Sequence, residues 1–113
     1  MIPFQNLFYM VAGHFVVDYN LQTDTTALQK NRNTNNGLSI VVPFYYWLLS
    51  HSFMHGIMVA LATGSYELGI LETVLHYIID DMKCRKWFGI HMDQFLHIAC
   101  KLGYFAFMVR KCF

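Results

Sequence analysis

A chain of 113 residues has room for one domain, which would span residues 1–113. It is 56% apolar and 13% charged, greasier than an ordinary small soluble domain. Its formal charge of +1 gives no electrostatic reason to expect a nucleic-acid partner.

The predicted elements are four helices, at approximately 4–19, 38–62, 65–82 and 87–109. The first is nearly all apolar from Phe4 to Tyr19 and is broken only by His14 and Asp18. A polar segment follows from Asn20 to Asn36, and its Asn-rich end with Gly37 marks a loop. Within it, Thr23-Asp24-Thr25-Thr26 could start a short helical turn running to Lys30. Leu38 to Ala62 then carries no charge over about 25 residues, with Pro43 tolerated as an early helical position and Gly64 beyond the end. Ser65 opens the third helix, and Glu67 favours its N-terminal dipole. Lys83, Arg85 and Lys86 mark its end; the fourth helix starts near Trp87 and runs toward Val109, interrupted by Lys101.

The expected fold is therefore all-α, a four-helix bundle, and the charge-free second segment suggests that it is membrane-embedded. A helix of about 20 residues crosses a hydrocarbon core of roughly 30 Å. The first and third loops hold Lys30, Arg32, Lys83, Arg85 and Lys86, which places both in the cytoplasm by the positive-inside rule, although Arg110 and Lys111 count against it. The alternative is a soluble, very apolar helical bundle that dimerises. Trp47, Trp87 and the tyrosines at 9, 19, 45, 46, 66 and 104 read as interfacial belts or as core. Cys84, Cys100 and Cys112 are odd in number and lack metal-type spacing, which points to free thiols in a reducing compartment. The N-terminus lacks a basic n-region, so no cleavable signal peptide is expected.

The strongest pattern is a repeated pair. His14/Asp18, His51/His55, His76/Asp80 and Asp93/His97 are each four residues apart, one turn apart on one helix face. Only His91 of the six histidines stands outside such a pair. If helices alternate in direction, all four pairs meet in one layer, toward the cytoplasmic face. Five histidines and three aspartates without a thiolate suit zinc, manganese or iron, and eight ligands fit two ions. The expected metal ligands are His14, Asp18, His51, His55, His76, Asp80, Asp93 and His97, with Asp80 and Asp93 also the catalytic candidates. Asp18 and Asp93 could instead bridge, or hold a histidine's other nitrogen, and Glu72 is an outer carboxylate. Lys30 and Lys83 could attract a phosphate, or simply be solvated. Each pair taken alone is more often a local polar contact, and polar packing between helices is the rival to metal.

The string Gly13-His14-Phe15-Val16-Val17-Asp18-Tyr19-Asn20-Leu21-Gln22-Thr23-Asp24, followed by Lys30, the His51 region, His76-Tyr77-Ile78-Ile79-Asp80 with Lys83, and Asp93-Gln94-Phe95-Leu96-His97, resembles the short bacterial and phage proteins of domain of unknown function family 3307. The resemblance covers nearly the whole chain; His55 is not among the motifs that carry it. It implies a small, membrane-associated helical protein, often phage-encoded, and no particular activity. A looser likeness is to bacterial inner-membrane proteins read as metal-dependent hydrolases.

The leading expectation is a metal-dependent hydrolase in the bacterial inner membrane, cleaving a lipid or nucleotide phosphoester by attack of metal-bound hydroxide. Partners would be membrane lipid, a further copy of the chain, or a host membrane protein. The alternatives are a non-enzymatic divalent-metal-binding or transport protein, and a phage-encoded protein that modulates a host complex. A di-iron oxygen-activating enzyme is a fourth option.

Overall fold

The computed structural model describes residues 3–112, and all of their regular structure is helical. α1 covers Pro3–Phe15 and continues as a π-helical segment, Val16–Leu21. Two short helices follow, α2 (Asp24–Gln29) and α3 (Gly37–Val41). Then come three long ones, α4 (Phe44–Thr63), α5 (Tyr66–Cys84) and α6 (Ile90–Cys112). The described residues thus form six α-helices where four were expected.

Local chemistry explains each boundary. Thr23 caps α2 by accepting from the Thr26 backbone N–H. Asn36 and Ser39 form a reciprocal capping box at the start of α3, each side chain accepting from the other's backbone N–H at 2.8 Å. The expected helix over 38–62 is split because the ring of Pro43 disfavours helical backbone at the preceding residue. Val42 accordingly sits at φ −120°, ψ 107°, and Pro43 becomes the N-cap of α4. Gly64 ends α4 at φ 72°, a left-handed conformation that costs glycine nothing. Ser65 then caps α5 by accepting from the Leu68 N–H. Lys86 at φ 65° turns the chain after α5, so α6 starts at Ile90 and not at Trp87.

α1 packs against α4 and α6, and α5 packs against the same two, so the long helices enclose a common interior. α4 and α5 approach closely at Gly56 and Gly69. A Cβ on Gly56 would lie 1.9 Å from Thr73 Oγ1 and 2.7 Å from the Gly69 carbonyl oxygen. One end of the interior is apolar: Met10, Val59, Ala62, Leu68 and Tyr104 are buried together, flanked by Leu7, Leu75, Phe105 and Met108. Toward the other end, the buried positions are occupied by histidines, carboxylates and lysines. Large apolar residues instead populate the outside, among them Phe4, Ile57, Leu61, Ile70 and Phe107.

The expectation of a membrane-embedded chain in the bacterial inner membrane is overturned. Among the described residues, no helix is long and apolar enough to cross a membrane. The charge-free segment falls short in apolarity and not in length: Pro43 confines the long helix to the 20 residues of α4, and those include Ser50, His51, Ser52 and His55. α5 carries Glu67, Glu72, Asp80, Asp81 and Lys83. The transmembrane and cytoplasmic-face assignments fall with it. Trp87 and the tyrosines at 9, 19, 45, 46 and 66 are exposed, while Tyr104 is core. Cys84 and Cys100 are free thiols, and the side chain of Cys112 lies outside the described residues.

Candidate metal centre

Helical spacing sets the centre. Along α4, α5 and α6 the inward positions recur at four-residue intervals: His51 and His55; Glu72, His76 and Asp80; Asp93, His97 and Lys101. His14 lies in the last turn of α1, and Asp18 lies in the π-helical segment. One extra residue per turn distinguishes π from α geometry, and such insertions recur at functional sites. Here Asp18 Oδ1 comes to lie 3.2 Å from His51 Nε2 and 3.0 Å from His55 Nε2. The structure brings all eight expected ligands together, and it leaves His91 exposed on the surface.

Three overlapping groups offer ligand atoms within 4.8 Å of one another. Asp18, His51, His55 and His76 form the first; Glu72, His76 and His97 the second; Asp80, Asp93 and His97 the third. The first and third share no residue. His14 belongs to none of them. Its Nε2 is 2.9 Å from Gln94 Oε1, and its ring lies 5.2 Å from that of His55 and 5.3 Å from that of His97. The rings of His55, His76 and His97 form a stack, with centroids 3.7 and 4.2 Å apart.

Burial keeps the imidazoles of His14, His55 and His76 neutral. It lowers His14 to about 4, assisted by repulsion from Lys101, and His55 to about 3 despite hydrogen bonding to Asp18. It lowers His76 as well, with further repulsion from His55 and His97. Neutral imidazole is the form that binds metal. Burial alone would raise the Asp18 carboxyl, but hydrogen bonds from His51 and His55 outweigh it and hold the group below the usual carboxylate range. Asp80 is likewise lowered, because the charges of Lys30 and Lys83 outweigh its burial.

Four residues that sequence reasoning gave no part in the ligand layer, or only a loose one, complete it. Lys30 Nζ donates to Asp80 Oδ2 at 2.6 Å across 50 residues of chain. Lys101 donates to Glu72 Oε1, and Tyr104 OH donates to Glu72 Oε2 at 3.1 Å. Gln94 Nε2 donates to Asp18 Oδ2 and to Asp93 Oδ2, both at 3.0 Å. Lys101 was detectable as the next step of the Asp93/His97 series, and Glu72 as the step before His76. Gln94 stands in the Asp93-to-His97 motif with no role attached to it, and Tyr104 reads from sequence only as belt or core. Lys83, between Asp80 Oδ1 at 3.4 Å and Asp93 Oδ2 at 3.8 Å, is the most exposed lysine of the layer.

These residues fit a divalent ion. Both ring nitrogens of His76 and of His97 are buried without a hydrogen bond, as is Asp93 Oδ1, which lies 3.2 Å from His97 Nε2. Each such group costs about 1–3 kcal/mol unless something satisfies it. Four carboxylates (Asp18, Glu72, Asp80, Asp93) face three lysines (Lys30, Lys83, Lys101), which formally leaves the layer negative when its histidines are neutral. No curated protein and no solved structure matches the chain. A family model matches residues 6–110, nearly the whole length, and the chain belongs to that family, described as protein of unknown function (DUF3307).

Proposed function

We propose that the chain binds divalent metal, zinc by choice of donors, in a dinuclear His/Asp centre inside a four-helix bundle, and cleaves a phosphoester of a lipid or nucleotide there. The observation that carries this reading is the pair of disjoint groups, Asp18/His51/His55/His76 and Asp80/Asp93/His97, with the ring nitrogens of His76 and His97 unsatisfied. Nitrogen and carboxylate donors without thiolate suit zinc, with manganese and iron as alternatives. A bound pair of ions would supply an activated water and balance charge on the entering and leaving oxygens. Asp93, whose Oδ1 makes no hydrogen bond, would be the carboxylate to accept a proton from water there. Lys83, with a side chain 26% exposed, attracts the phosphate from solvent.

The test is hydrolysis of bis(p-nitrophenyl) phosphate by zinc-loaded protein. Turnover should vanish with chelator and in Asp93→Asn, whose helical circular dichroism should match that of the native chain. Zinc-loaded protein that gives no turnover above buffer would refute the hydrolase. A second reading, a non-enzymatic metal-holding protein, is favoured by burial: His14, His51, His55, His76 and His97 are each no more than 1% exposed. It predicts slow metal exchange and no turnover.

A further inference from the structure

The three ligand groups are not equivalent, because resident ammonium groups already occupy two of them. Lys101 sits on Glu72, with both side chains 1% exposed. Lys30 sits on Asp80 at 2.6 Å, and Lys83 reaches both Asp80 and Asp93. Asp18 differs. Among the described residues its only ionic partners are imidazoles, those of His14, His51 and His55. An ion entering the first group therefore displaces no cation. An ion entering the third must share Asp80 with a buried ammonium or expel it, and like charges a few ångströms apart inside a protein repel strongly. The second group shares His76 with the first and His97 with the third, so it cannot fill beside both.

We infer that the internal lysines set the order and number of metal ions. The first ion enters Asp18/His51/His55/His76. The second enters Asp80/Asp93/His97 only by displacing Lys30, and Lys101 keeps Glu72 from acting as a ligand. This rests on the metal-binding part of the proposed function and adds a control to it: the side chain at position 30 decides whether the centre is mononuclear or dinuclear. The third group is more than a cluster of carboxylates, because it includes His97, whose ring nitrogens are buried and make no hydrogen bond, with Nε2 3.2 Å from Asp93 Oδ1.

Calorimetric titration of metal-free protein with zinc ion tests the order. The native chain should show one tight step, with a second at least about tenfold weaker or absent. Lys30→Met should tighten that second step at least about tenfold, or make it visible, and leave the first unchanged. Asp18→Asn should remove the tight step and keep the weak one. Equal steps in the native chain, a second step indifferent to Lys30→Met, or loss of only the weak step in Asp18→Asn would each overturn the inference. Should Lys30→Met fail to fold, Lys83→Met serves in its place, since its contacts are longer and its side chain partly exposed. It too must tighten the second step, and an unchanged step counts against the inference. Two ions bound with no dependence on either lysine would sink the order alone. No zinc uptake would sink the metal centre with it.

Discussion

Acidifying the metal-free protein should destabilise it well above the pH at which its carboxylates protonate. His14 and His55 have an ordinary value of 6.5 in an unfolded chain, but burial lowers them to about 4 and about 3 in the folded one. As pH falls below about 6.5 the unfolded state takes up these protons first, so stability drops with pH at about 1.4 kcal/mol per unit for each group. Between about pH 8 and about pH 5 that amounts to about 2 kcal/mol from each, about 4 kcal/mol together. His76 is displaced in the same direction and adds to the loss. Asp18, Asp80 and Asp81 do not offset it. Their folded values are lowered, so the stability they contribute is present above the ordinary carboxylate value of 3.8 and is lost only below it. For a domain of about 5–15 kcal/mol total stability the effect is large. Urea unfolding with a chelator present, followed by far-ultraviolet circular dichroism at the two pH values, measures it directly. A stability that changes by less than about 1 kcal/mol across the interval would refute the claim that these histidines are buried and neutral.

Two further outcomes follow from packing and charge. Lys101→Met leaves Glu72 as an unpaired buried carboxylate and should cost about 3–5 kcal/mol, whereas Glu72→Gln combined with Lys101→Met should recover most of it; urea midpoints of the single and double variants decide. Gly56→Ala forces its new methyl into Thr73 Oγ1 and the Gly69 carbonyl, so the thermal midpoint should fall by the equivalent of about 1–3 kcal/mol, and an unchanged midpoint would show that α4 and α5 can separate without penalty.

The layer of buried histidines and carboxylates was legible in the sequence because four-residue spacing is a local signal that helical geometry converts directly into a shared face. Alternating helix directions then bring Asp18, His55, His76 and His97 to one level. Several features were not legible. Pro43 reads from sequence as an early helical residue, yet its constraint on Val42 breaks the segment and makes a separate α3. The π-helical segment around Asp18 leaves no mark in composition, since the Val16-Val17 pair is compatible with α-helix as well. Apolar content suggested membrane spans. Instead, each long helix devotes part of its inward stripe to polar groups, and those groups dilute the hydropathy that a span requires. Lys30 came last, because a contact across 50 residues depends on how the segment after α1 folds back onto α5. Arg32 fixes that return by a two-pronged pair with Asp81 at 2.9 and 2.7 Å, and Asn33 adds a bond to the Cys84 carbonyl at 2.8 Å.

The central claim is that the buried histidines and aspartates hold metal. Elemental analysis of protein purified without chelator, beside an Asp18→Asn/His76→Ala variant, tests it most directly. The account predicts at least about one equivalent of zinc, manganese or iron in the native chain, and its loss from a variant that keeps its helical circular dichroism. No metal above background in the native chain, or equal metal in both proteins, would contradict it.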